Sequence, residues 1–148
     1  QQMTANVPFT PAVIAYDPPR HYVLGSIPAP GSVLDVITNQ FKETAALVYR
    51  SNQQKLYTTA SPVTIFVSES YIYDPKTPVS DALQMSRSIT VPRRLDRTAL
   101  RYSSTFILRT LSTPTDILVQ NIGQTTLINN MPIVDTIECT NGVIHIIQ

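Results

Sequence analysis

The sequence predicts an α+β domain: a helical layer packed on a compact antiparallel sheet, sandwich or barrel, preceded by an extended Pro-rich arm. Three observations carry this expectation. Apolar residues recur at three- and four-residue steps between Leu34 and Val48. From Ser104 onward the period drops to two. The chain then closes on Ile137 to Gln148, two β-branched runs hinged on Asn141-Gly142, a pair that tolerates the positive φ of a tight hairpin. Helices first and strands afterward, with one early strand, is an α+β order.

The arm covers residues 1–31. Pro8, Pro11, Pro18, Pro19, Pro28 and Pro30 each remove a backbone donor and bias the preceding residue toward extended geometry. Yet the segment also carries Phe9, Val13, Ile14, Tyr16 and Tyr22, more apolar area than a free tail is expected to hold. It is expected to lie against its own domain or a neighbouring subunit, with those five residues as contacts.

The domain covers residues 32–148. Ser32-Val33-Leu34-Asp35 reads as a capping box, a hydroxyl for the first free amides and a carboxylate three residues on. One helix follows, with Leu34, Ile37, Phe41, Ala45 and Val48 as its apolar stripe and Asn39, Lys42, Glu43 and Arg50 outward. Leu56 and Tyr57 continue the helical layer until Ser61-Pro62 breaks it, and Val63 to Val67 is a short buried strand. Between Ser68 and Tyr102 the pattern is helical. Ser80 can cap residues 81–88, and Pro92 can open a helix with Leu95, Ala99 and Tyr102 on one face. Strands are predicted at 105–111, 116–122, 125–128, 133–139 and 143–147, with turns at Ser112-Thr113-Pro114, Gly123, Asn129-Asn130 and Asn141-Gly142.

Composition narrows the function classes. The 148 residues suit one domain, and a net charge of +1 gives no general pull toward nucleic acid or an anionic membrane. No apolar run approaches the roughly 20 residues of a membrane span. Cys139 is the only cysteine, so an internal disulfide and a cysteine zinc cluster are both excluded. No Asn is followed by Ser or Thr two places on, so the chain has no N-glycosylation acceptor. Charged residues are 14% of the chain, which leaves a Thr-, Ser- and Asn-rich surface that neighbours can cover without stripping many charges of water.

Few residues suggest chemistry. His145 is either a general base or metal ligand, or a strand residue whose imidazole satisfies a hydrogen bond beside the core; without a second histidine nearby in sequence, the structural role is expected. Cys139, next to Glu138 in a predicted strand, is expected as a small buried residue and not a nucleophile. No Gly-rich phosphate loop and no Gly-x-Ser-x-Gly motif occurs. Arg93, Arg97 and Arg101 repeat every four residues, with Arg94 beside them. On a helix opened by Pro92, Arg93, Arg97 and Arg101 would line one face, either as a solvated surface or as a site for an acidic protein partner.

Two stretches resemble fasciclin-type (FAS1) domains. Pro62-Val63-Thr64-Ile65-Phe66-Val67-Ser68-Glu69-Ser70 is similar to the Thr-Val-Phe-Ala-Pro-Thr segment of that family, where a strand runs into a helix. Leu127-Ile128-Asn129-Asn130, Asp135-Thr136-Ile137 and Asn141-Gly142-Val143-Ile144-His145 resemble its C-terminal motif, which an Asn-Gly-Val-Ile-His-Val-Ile-like strand completes. The likeness spans about Ser32 to Gln148. It implies a FAS1-like fold and an interaction module without chemistry, with no catalytic residues, cofactor or metal. Animal and plant members often carry a Tyr-His pair linked to adhesion. Here Tyr102-Ser103 stands at that place, and Ser68 replaces the Pro of the first motif.

The resemblance, the arm and the missing sequons together lead to an expectation of a non-enzymatic structural module in a surface assembly such as a virion, as a minor capsid protein. Its expected partners are neighbouring proteins, met by the arm and the Arg-rich helix face, with no nucleic acid or small-molecule substrate. The alternative is a secreted or cell-surface adhesion protein.

Overall fold

A computed structural model describes residues 28–58, 61–112 and 115–148. Helices α1 (Val33–Gln40) and α2 (Lys42–Arg50) and a 3₁₀ turn (Gln54–Tyr57) precede strand β1 (Val63–Ser68). Helix α3 (Val79–Ser88), strand β2 (Thr90–Val91) and helix α4 (Arg97–Leu100) lead into β3 (Thr105–Arg109), β4 (Asp116–Ile122), β5 (Thr125–Ile128), β6 (Met131–Cys139) and β7 (Gly142–Ile147). The seven strands form one sheet in the order β2-β1-β7-β6-β5-β4-β3. The α+β expectation holds, but the sheet is mixed where an antiparallel one was predicted, because β7 pairs parallel with β1 along its whole length. A chain that goes from β1 through the helices and a meander, then returns between β1 and β6, meets β1 in the same direction. The sheet curls until its edges approach, and Leu111 N donates to Thr90 O at 3.0 Å, so the barrel is nearly closed.

The helical layer begins as its sequence dictates. Ser32 Oγ accepts from Asp35 N at 3.1 Å, while Asp35 Oδ2 accepts from Gly31 N at 2.8 Å, one residue further back than in a capping box. The single predicted helix is two. Phe41 has φ −130 and ψ 68, donates to Ile37 O to end α1, and accepts from Ala45 N to start α2. The break explains how Thr44 to Val48 are all buried, which no single-faced helix achieves. Ala45 and Val48 pack on the sheet, whereas Ala46 and Leu47 pack with Tyr73 and Ala82 of the α3 side. Helix α3 starts before Ser80: Pro78 is its N-cap, and its carbonyl accepts from Ala82 N. Tyr57, fully buried, donates its hydroxyl to Thr90 Oγ1 at 2.7 Å, and Thr90 donates on to Ser86 O. Burial pushes the Tyr57 hydroxyl up to about 12, so it stays a donor.

Of the strands, β4 and β5 have the predicted bounds. The pair Asn129-Asn130, at φ 49 and 71, turns β5 into β6 as a two-residue hairpin with both residues left-handed. The closing hairpin forms too, but not as a positive-φ Asn-Gly turn. Thr140-Asn141 is the loop, Gly142 already pairs with Cys139, and neither Asn141 nor Gly142 has positive φ. Every residue of β7 is buried, as its nearly unbroken apolar run requires of a strand covered on both faces. On one face Ile144 and Ile146 join Val63 and Ile65 beneath the helices; on the other Ile147 joins Phe66, Val119 and Ile128 inside the curled sheet.

Candidate interaction surface

The predicted arginine stripe does not form. Helix α4 is only Arg97–Leu100, capped by Asp96, whose carboxylate accepts from Ala99 N at 2.8 Å. Arg93 lies ahead of it. The cause is tertiary: buried Thr64 on β1 donates its hydroxyl to Arg93 O at 2.6 Å and accepts from Leu95 N at 2.8 Å, which pins residues 93–95 against the sheet. Arg93 N also turns back on Val91 O at 2.8 Å, a three-residue turn over Pro92 that excludes a helix start there.

The guanidinium groups consequently serve different ends. Arg94 donates to Cys139 O, to Gly142 O and, at 2.7 Å, to Glu138 Oε1, clamping the closing hairpin. Arg101 donates to Gly123 O at 2.6 Å and reaches Asn121 and Thr126, holding the turn between β4 and β5. Arg97 is half-buried, and Arg93 remains exposed. Arg94, beside the stripe in sequence and not part of it, is the hairpin's staple. The arm contacts Phe9, Val13, Ile14, Tyr16 and Tyr22 lie outside the described residues.

His145 sits on β7 inside the curled sheet, stacked on Phe66 at 5.4 Å between ring centroids. Leu95 O is an acceptor only, so Nε2 donates to it at 2.7 Å, and Nδ1 accepts from the Thr136 hydroxyl at 2.9 Å. Both nitrogens of the neutral ring are engaged, which leaves no lone pair for a substrate proton or a metal ion. Burial holds the imidazole below its ordinary pKa, with the neighbouring Arg97 acting in the same direction. The folded state therefore takes up a proton less readily than the unfolded chain. Stability is at its full value above the unfolded pKa of about 6.5 and falls as pH drops below it, toward the folded pKa. Urea midpoints measured from pH 7.5 downward are expected to fall through that window, and His145→Gln is expected to flatten the slope.

Cys139 is buried and its thiol is pushed up to about 11, chiefly by burial, which keeps it protonated and unreactive near neutral pH. Among the described residues no three of His, Cys, Asp and Glu converge to hold a metal ion. No described helix is long and apolar enough to cross a membrane. A cleft of about 200 Å³ opens between α2, α3 and the end of β1, lined by Leu47, Phe66, Tyr71, Met85 and Ile147. It is smaller than the roughly 300–1,000 Å³ of most ligand pockets.

One feature left without a structural role is a sheet face. The helices cover the outside of β1, β7 and the C-terminal half of β6. No described helix covers the outside of β3, β4, β5 and the start of β6. There Ile107 pairs with Leu118, Gln120 pairs with Leu127, and Leu127 pairs with Pro132, so the pleat puts these side chains on one face. Ile107 is 60% exposed, Ile122 on the same face 62%, and Val134 at the bulge in β6 49%. At one margin Arg109 and Asp116 pair with each other, Nε to Oδ1 at 3.5 Å. This apolar row was the part of the surface that sequence reading missed. Its signal was present in Phe106-Ile107-Leu108, where apolar residues occupy both faces of a predicted strand.

The sequence matches no protein-family model, and no curated protein is similar to it at a significant level.

Proposed function

We propose that the chain is a non-enzymatic, fasciclin-like structural module of a surface assembly such as a virion, where it acts as a minor capsid protein by contacting neighbouring subunits. The single observation that carries the contact role is the uncovered apolar row from Ile107 to Pro132, because contiguous exposed apolar surface marks protein interaction sites. The engaged histidine and the protonated, buried cysteine favour structure over chemistry in the same domain. The fasciclin-like part rests on sequence wording, and one feature of the topology supports it. The two resembling stretches, far apart along the chain, occupy β1 and the run β5, β6 and β7, and these strands stand side by side in the sheet.

The test is deletion of residues 1–27. The cut belongs there because Ala29 N donates to Thr58 Oγ1 and Ser32 N donates to Ala29 O, so residues 28–31 are part of the folded body. The truncated protein is expected to keep its far-ultraviolet circular dichroism and its thermal midpoint, yet to be lost from the purified assembly. Normal incorporation of a folded truncation refutes the arm's role.

A further inference from the structure

We infer that residues 1–27 dock across the uncovered outer face of β3–β6, with their apolar side chains on the row Ile107, Leu118, Leu127 and Pro132. The inference deepens the assembly reading and rests on it for the biological setting, though not for the geometry.

Place, reach and composition each identify the occupant. The chain enters the described body at Pro28, and Gly31 O accepts from Thr140 N at 2.9 Å, so the arm joins beside the end of β6. From Thr140 back to Met131, β6 is about 30 Å long at roughly 3.3 Å per residue, whereas 27 extended residues span about 84 Å. The row itself crosses four strands, about 15 Å at roughly 4.8 Å per strand. An arm rooted at Pro28 therefore reaches all of it, on its own domain or on a neighbour's. Its composition fits the face. Residues 1–27 contain Val7, Phe9, Val13, Ile14, Tyr16 and Tyr22 but only Asp17 and Arg20 as full charges. The face from Ile107 and Leu118 through Gln120 and Leu127 to Pro132 carries no unpaired charge, since Arg109 and Asp116 at its margin neutralise each other. Pro8, Pro11, Pro18 and Pro19 disfavour addition as a regular edge strand, while an extended proline-containing segment can lie over a sheet face without needing backbone partners.

Photo-cross-linking of the full chain tests this. Ile107→p-benzoylphenylalanine puts the probe at an exposed position in the row, and Val79→p-benzoylphenylalanine on α3 is the control at another exposed site. The expected result is adducts to peptides from residues 1–27 at position 107, several-fold above those at position 79. Thermal midpoints close to that of the unmodified chain confirm that both variants fold. Mixing isotopically heavy and light chains assigns the adducts. Inter-chain adducts support both the inference and the assembly role of the arm. Intra-chain adducts support the docking while refuting an arm-mediated link between subunits. Adducts only to a second copy's own sheet face, equal yields at the two positions, or none from residues 1–27 overturn the inference. If the deletion of residues 1–27 still abolishes incorporation, the assembly reading survives that failure.

Discussion

Gly142→Ala is expected to destabilise the protein by about 3–5 kcal/mol and to lower its thermal midpoint by on the order of 10 °C. A β-carbon at this position would clash with Val63 O and stand 3.1 Å from a methyl of Val33. The clash with Val63 O is with backbone, which cannot swing aside as a side chain would. Relief requires β7 to move from β1, and the pairing at stake is the parallel register that runs from Val63–Gly142 to Ser68–Ile147. The loss is therefore a steric clash plus weakened ladder hydrogen bonds at the most buried strand of the sheet. Gly123→Ala is the matching control. Gly123 has φ +59 but nothing within 4 Å, so only left-handed strain is added, about 1 kcal/mol. Equilibrium denaturation of both variants checks the pair. Equal, small losses would show that β1 and β7 are not in the close contact described.

Asn141→Ala is expected to cost about 2–5 kcal/mol, an effect seen as a lower denaturation midpoint with little change in cooperativity. Asn141 is buried, and its side chain bridges three elements. Its Oδ1 accepts from Val33 N at 2.8 Å, satisfying an amide in the first turn of α1, while Nδ2 donates to Tyr57 O at 3.0 Å at the end of the 3₁₀ turn. Truncation leaves a buried amide and a buried carbonyl without partners, each worth roughly 1–3 kcal/mol. Asn141→Asp separates the two bonds. It keeps the acceptor for Val33 but sets a carboxylate against the Tyr57 carbonyl, and it is expected to be no more stable than the alanine variant at neutral pH. A variant near wild-type stability would remove Asn141 as the link between hairpin and helices.

These residues show where local reading succeeds and where it stops. The alternation in Asp116 to Ile122 and Thr125 to Ile128 specifies strands because period two is written in consecutive residues, and Asn129-Asn130 specifies its turn because few residue types accept two left-handed conformations in succession. The Ser32 cap is equally local, since donor and acceptor are three residues apart. By contrast Asn141-Gly142 looked like a positive-φ turn from the dipeptide alone. Its real constraints are Val33, Tyr57 and Val63, each about 80 residues or more away in the chain, and none of them leaves a mark on neighbouring positions.

The arginines tell the same story from the surface side. Spacing by four is a helical pattern only if the helix exists, and the hydroxyl of Thr64 outcompetes a marginal helix by bonding to residues 93 and 95. With the helix gone, Arg94 and Arg101 find carbonyl groups at two hairpin turns that no sequence window brings near them. The uncovered row, of which Phe106-Ile107-Leu108 gave only a local hint, is hidden for a related reason. Ile107, Leu118, Leu127 and Pro132 become neighbours only through strand register.

By itself the sequence determined the α+β class, most strand positions, the sites of three hairpins and the burial of His145 and Cys139, all properties set by hydrophobic period and short-range backbone preference. Tertiary structure alone decided the parallel seating of β7 on β1, the break at Phe41, the fate of the arginines and which half of the sheet stays uncovered. The division is physical: period and turn chemistry act over a few residues, whereas close approach, hydrogen bonds across the core and coverage of a face depend on which distant segments arrive at the same place.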